Sequence, residues 1–305
     1  MQKRIIFLWM LALSMLLTSC FTGKSAQSAA YQPLEPSLLW EITSKQQDKP
    51  SYLLGTIHMI PADKFFWTDQ MEEALQKSDN VVFELDMNEM TDMSKVMGLM
   101  EHLFMAGDTT LKDLLTEEEL AVVDGKFQEM GLPMFMFERM KPFFLTVMLS
   151  EDMKPGGLDD GSIVSYEFMI QEKAERLNKP SSGLETLEYQ ASIFDKIPYV
   201  DQAKILLETI QADASSEDGS QIDRMVKLYT QQDIEGLSEM INDSEEGLEW
   251  QEDLLFERNR NWIELMEPLM QSNSVFFAVG AGHLPGEQGV IHLLRQRGYK
   301  VKPLK

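Results

Sequence analysis

Segments with the composition of β-strands lie towards the two ends of this chain, and the stretch between them reads as helix. Ser51-Tyr-Leu-Leu-Gly-Thr-Ile-His58, Asn80-Val-Val-Phe-Glu-Leu-Asp86, Val275-Phe-Phe-Ala-Val279 and Tyr299-Lys-Val-Lys302 are rich in β-branched and aromatic residues. Between them the apolar residues recur at three and four: Met90, Met93, Met97 and Met100, then Leu120, Val123, Phe127 and Met130 after Thr116-Glu-Glu-Glu119, a helix start with acids in its first turn. Short strands need partners, so the two ends must meet. The expectation is an α/β fold whose central mixed sheet is built from N- and C-terminal strands around a large helical insert, with its sites where the strands end. No repeat and no internal Pro/Gly/Ser-rich linker divides the chain, which reads as one domain over residues 37–305.

Two matched segments carry the chemistry. Gly55-Thr-Ile-His58 and Gly280-Ala-Gly-His283 are both Gly-x-x-His, each attached to a strand. Alternation puts Leu54, Thr56 and His58 on one face, with Pro61 forbidding continuation; the second strand ends at Gly280 and a glycine-rich turn delivers His283. If the two strands are parallel neighbours the imidazoles converge, as a metal site requires. Glu84 lies among valine and phenylalanine, where a carboxylate needs a cation, and Asp86 shares its face. Arg258 falls on a stripe with Leu254, Leu255, Trp262 and Leu265, whereas Arg260 has Glu257 and Glu264 at ion-pair spacing. Arg258 is thus the buried arginine, wanting a carboxylate or a substrate oxygen. Glu185, near a helix start, suits a capping acid, and His102 and His292 read as helix-face residues. Serine-hydrolase, HExxH, Walker and dinucleotide-binding signatures are missing from the sequence.

Composition removes several alternatives. A formal charge of -23 repels a phosphate backbone, so nucleic acid is excluded as a partner. A single cysteine excludes disulfide frameworks, four-thiolate clusters and Cys-rich zinc fingers. That cysteine ends a leader: Lys3 and Arg4, an apolar run from Ile5 to Leu17, then Leu17-Thr-Ser-Cys20, which resembles a bacterial lipobox. The expectation is a lipoprotein signal peptide over residues 1–19, lipidation at Cys20, and a Ser/Ala/Gln-rich flexible tether over 20–36. Phe21 rather than Asp after the cysteine favours the periplasmic face of the outer membrane, with the lipid as the membrane contact. The 22 methionines read first as core filling and second as a peptide-binding groove built from Met87 to Met105 and Met134 to Met148.

Leu53-Leu-Gly-Thr-Ile-His-Met-Ile-Pro61, Phe83-Glu-Leu-Asp86, Gly183-Leu-Glu-Thr186 with Gln190, Arg258-Asn259 ahead of Trp262, and Val279-Gly-Ala-Gly-His-Leu-Pro-Gly-Glu-Gln-Gly289 with Arg297-Gly-Tyr299 together resemble the TraB/GumN family, related to the TIKI proteins described as metal-dependent proteases. Where family members often carry Gly-x-Asp, this chain reads Ser165-Tyr-Glu167, keeping an acid without the glycine. The resemblance implies a divalent metal, Mn²⁺ or Co²⁺, held by His58, Glu84 and His283. The hydrolase reading adds Glu185, as a free carboxylate, for the base and Arg258 for holding the oxyanion of a peptide or other amide substrate. A non-catalytic peptide binder and an esterase-like hydrolase of small molecules are the alternatives.

Overall fold

The computed structural model describes residues 31–149, 161–215, 221–242 and 250–305. The expected leader, Cys20 and most of the expected tether lie outside the described residues. The tether's last residues do not: the packed unit begins at Tyr31 rather than at 37. Tyr31 donates its hydroxyl to Glu235 and accepts from the Gly286 amide at 2.9 Å, while the Leu34 amide donates to Glu235 at 2.8 Å. Tyr31 and Leu34 are apolar enough to be drawn onto the domain despite their polar surroundings.

In chain order the strands are β1 (Leu39–Thr43), β2 (Ser51–Thr56), β3 (Met59–Pro61), β4 (Asn80–Leu85), β5 (Ile163–Ser165), β6 (Ser181–Glu185), β7 (Val275–Gly280) and β8 (Lys300–Leu304). The helices are α1 (Asp69–Lys77), α2 (Met93–Leu103), α3 (Leu111–Leu114), α4 (Glu117–Glu129), α5 (Pro142–Leu149), α6 (Tyr166–Arg176), α7 (Leu187–Ile193), α8 (Tyr199–Ser215), α9 (Gln221–Thr230), α10 (Ile234–Asn242), α11 (Glu257–Ser272) and α12 (Val290–Gln296). Six strands form one mixed sheet in the order β6-β4-β7-β2-β1-β8, and β3 pairs with β5 separately. The four strands from β6 to β2 are parallel; β1 and β8 close the other edge antiparallel. This is the α/β sheet closed by distant segments that the sequence implied.

Both faces of the central parallel strands β2 and β7 are covered, as their largely apolar runs require. Every residue of β2 is buried, and Val275, Phe276 and Phe277 of β7 are 0% exposed. The helical insert has a second core, in which Val123 and Phe127 of α4 meet Leu145, Leu206 and Leu207. The Thr116 capping box is present: Thr116 Oγ1 accepts from the Glu119 amide, and the Glu119 carboxylate accepts from the Thr116 amide.

The methionines divide. Met71, Met87, Met105, Met134, Met266 and Met270 are core residues, as expected of most. Met90, Met93, Met97 and Met100 are not: α2 buries none of its residues, and Met93 is 73% exposed. Helical spacing finds a helix, but it does not show that the stripe is covered.

Register decides where the site forms. Thr56 stands opposite Gly280, Phe83 opposite Ala278, and Leu85 opposite Glu185, so the carboxyl ends of β2, β7, β4 and β6 come level. Gly183 permits this at the β6 end, since a Cβ there would come 2.2 Å from the Asp86 amide nitrogen.

Candidate functional site

The level strand ends open onto a cavity of about 210 Å³ lined by His58, Glu84, Gln190, Ile193, Phe194, Leu254, Arg258, Gly280 and His283. Both Gly-x-x-His histidines reach it, because β2 and β7 are the parallel neighbours that convergence demanded. Glu84 comes from β4, Gln190 from α7 and Arg258 from α11.

His58 does not sit in a strand. Strand β2 stops at Thr56, and the ring stands in the turn before β3, largely exposed on the rim. Its Nδ1–H donates to Glu167 at 3.2 Å. The same carboxylate accepts from Thr56 Oγ1 at 2.7 Å and from Ser165 Oγ at 3.3 Å. Glu167 therefore orients His58, and its hydrogen bond raises the imidazole above its ordinary range.

His283 is buried, its ring 4.3 Å from that of Trp262. Nδ1 lies 2.6 Å from Oδ1 of Asn259. The Asn259 amide nitrogen donates to the carbonyls of His283 at 3.4 Å and Gln288 at 2.8 Å, so its oxygen must be the atom facing the ring. The ring proton is then on Nδ1, and Nε2 carries the lone pair towards the cavity. Burial outweighs the pull of Glu84 and holds His283 neutral, its pKa lowered to about 3.

Arg258 joins the acids. Its Nε donates to Glu185 at 2.9 Å, and its Nη2 donates to Glu185 at 2.8 Å and to Glu84. Its Nη1 donates to the Leu254 carbonyl at 2.9 Å and faces His283 Nε2 at 3.3 Å. Gln190 Nε2 ties the two carboxylates together, reaching Glu84 at 2.9 Å and Glu185 at 3.0 Å, and Trp262 Nε1 donates to Glu185 at 2.8 Å. Burial would raise the Glu84 carboxyl, but the basic groups around it, the Arg258 guanidinium bonded to it among them, outweigh burial and hold it below the ordinary carboxylate range.

Two sequence-based roles change on this geometry. A base needs a carboxylate oxygen to spare, and Glu185 is buried with both oxygens engaged by Arg258, Gln190 and Trp262. An oxyanion holder needs donors to spare, and every nitrogen of Arg258 already has an acceptor within the protein. Both hold the site together. Asp86 does not line the cavity; it accepts from the Asn88 amide at 3.0 Å in the turn after β4. His292, on α12, packs against Tyr31, and His102 pairs with Asp195 at 3.1 Å.

Sequence reasoning left Gln190 and Asn259 without roles. Asn259 had a signal, since it follows Arg258 directly in the Arg-Asn pair of the motif, and the structure buries it to 1% exposure. Gln190 had only its place in the Leu-Glu-Thr motif.

The donor set suits a divalent cation in kind, with two imidazoles whose Nδ1 atoms are held by oxygen partners and a carboxylate, Glu84, that is nearly buried. Its present arrangement is closed around Arg258, and among the described residues no three His, Cys, Asp or Glu side chains are grouped to hold a metal.

Among known proteins, the chain is 23% identical over 317 residues to Metalloprotease TIKI1 of Danio rerio, covering 87% of this chain and 63% of that protein. It is 25% identical over 325 residues to Metalloprotease TIKI2 of Danio rerio, covering 87% and 60%. Against Metalloprotease TIKI1 of Homo sapiens it is 24% identical over 352 residues, covering 95% and 67%. The chain thus spans less than two thirds of the length of either Danio rerio relative. The TraB/PrgY/gumN family model matches residues 38–303, from just before β1 into β8 and across every residue of the cavity. This chain belongs to the TraB/PrgY/gumN family.

Proposed function

We propose that this chain is a hydrolase of peptide or other amide bonds that works with a divalent cation, Mn²⁺ or Co²⁺, held by His58, Glu84 and His283. The observation that carries the reading is the neutral His283 with its Nε2 lone pair fixed beside Glu84 at the ends of parallel strands. The curated relatives' name, metalloprotease, supports it. A cation there would polarise the substrate carbonyl and acidify a bound water. The chain's own residues supply the rest. Asn259 sets the tautomer of His283, Glu167 orients His58, and Gln190 with Arg258 keeps Glu84 ionised and in place. Elemental analysis of the full chain purified without chelator should find one metal per chain, lost in both His58→Ala and His283→Ala. Metal retained at wild-type stoichiometry in both variants removes the histidines as donors. Screening peptide, amide and ester libraries separates peptidase from esterase action.

A second reading, peptide capture, has its own observation in the exposed methionines of α2. That helix packs on α7, which contributes Gln190 and Ile193 to the cavity. A thioether face adapts to many apolar partners. Under this reading, peptide affinity falls about tenfold in Met93→Gln/Met97→Gln and survives His58→Ala/His283→Ala. Calorimetric titration showing the opposite pattern excludes it.

A further inference from the structure

The ring nitrogen that a metal would need is already engaged. The Asn259 amide puts the His283 proton on Nδ1, so Nε2 is an acceptor, and an imidazole nitrogen has one lone pair. Arg258 Nη1 stands 3.3 Å from that nitrogen with a proton to donate into it. A metal bound to histidine sits about 2 Å from the nitrogen along the same lone pair. Hydrogen bond and metal bond compete for one direction. The same guanidinium bonds Glu84 through Nη2, so one arginine engages two of the three expected donors.

We infer that Arg258 is the resident cation of this site, and that a divalent ion enters only when the guanidinium releases His283 and Glu84. The inference rests on the reading of His58, Glu84 and His283 as metal donors and adds the condition under which they become available.

The surroundings give the guanidinium somewhere to remain. Arg258 keeps Nε and Nη2 on Glu185, a carboxylate that Trp262 Nε1 holds independently of Glu84. Its Cζ stands 5.0 Å from the Trp262 ring centroid, a second stabilising contact for a cation. Release of Glu84 therefore does not strand a buried charge: Arg258 stays paired with Glu185, and Glu84 passes to the incoming ion. The segment just before α11, Glu252–Phe256, is a π-helix, a wide turn common at functional sites, and it supplies the Leu254 carbonyl that receives Nη1. With the arginine in place, the two carboxylates are neutralised from within the protein, and metal affinity is reduced by the fraction of time the site is open.

The test is a calorimetric titration of the full chain with Mn²⁺ alone, in wild type, Arg258→Gln, Arg258→Lys and Arg260→Gln. Both Arg258 variants should bind at least about tenfold more tightly than wild type, and Arg260→Gln, altered at an exposed ion pair, should match it. Lysine keeps the charge but has a single nitrogen, which cannot serve Glu185, Glu84 and His283 together. Tightening in Arg258→Gln alone would make the effect one of charge and overturn exclusion, as would unchanged or weaker binding in both. If no chain binds Mn²⁺, the metal reading fails and this inference with it. A crystal structure of wild type with Mn²⁺ decides independently of the variants' folding. The inference expects metal on His283 Nε2 with Arg258 withdrawn beyond hydrogen-bond reach, and a metal there with that contact retained overturns it.

Discussion

Arg258→Met should destabilise the folded chain by about 3–5 kcal/mol, because it leaves two buried carboxylates without their cation. Glu185 is buried and Glu84 nearly so, and the guanidinium bonds both. Burial works against the arginine's charge, and the two carboxylates outweigh it, keeping it ionised. Methionine fills similar volume but supplies no donor, so Glu84 and Glu185 must pay desolvation unpaired or take up protons. Melting temperature should fall by on the order of 10 °C. The comparison is Arg260→Met on the same helix: Arg260 pairs with Glu252 in solvent, and its loss should cost less than about 1 kcal/mol. Adding Glu84→Gln and Glu185→Gln to Arg258→Met should recover at least half of the loss, since the uncompensated charges are gone. Thermal and denaturant unfolding of the variants measures this. Equal melting of Arg258→Met and Arg260→Met would show that the buried cluster contributes no more than a surface pair.

The contrast between those arginines was legible from helical spacing, although the stripe that revealed it was only partly right. Leu265 was expected on the buried face and is 46% exposed; the face that α11 buries runs through Arg258, Asn259, Trp262, Ile263, Met266 and Met270. The cause is local. At about 100° per residue the buried arc of α11 is centred near Met266, so Arg258 lies at its edge and Leu265, seven residues on, falls just outside it.

The central parallel strands β2 and β7 were legible because both their faces are buried and their sequences are largely apolar. Strand β1 and the three-residue β3 and β5 were not seen, since so few residues show no period, and their pairing is set by partners distant in sequence. The site was legible as a set of residue types at strand ends. Its wiring was not, because a hydrogen bond such as Gln190 to Glu84 or Glu167 to His58 links elements whose relative placement no local pattern encodes. The same limit explains Glu185: near a helix start it looked available, and only tertiary packing set Arg258 and Trp262 against it.

Among the histidines, substitution should separate those of the cavity from the rest by activity and not by burial. His283 and His292 are similarly buried, at 5% and 8% exposure, and their rings meet different neighbours. The His283 ring has Nδ1 on Asn259 and Nε2 turned to Glu84 and Arg258, while the His292 ring packs edge-on against Tyr31 at 5.6 Å. On the hydrolase reading, His283→Ala should lower kcat/KM for the best peptide or amide of the screen by about 10²–10⁴-fold, the range expected when a positioned imidazole is removed. His292→Ala opens a comparable gap in the core and should lower stability while leaving kcat/KM within about twofold. Asn259→Leu should fall between them, losing about 10- to 100-fold through release of the His283 tautomer, an effect typical of groups that hold a ligand from behind. Steady-state rates measured below each variant's melting transition keep stability out of the comparison. Equal losses in His283→Ala and His292→Ala would mean that activity follows packing alone. The cavity at the strand ends would then be a structural hollow, and the case for hydrolysis would rest on the named relatives without support from this site.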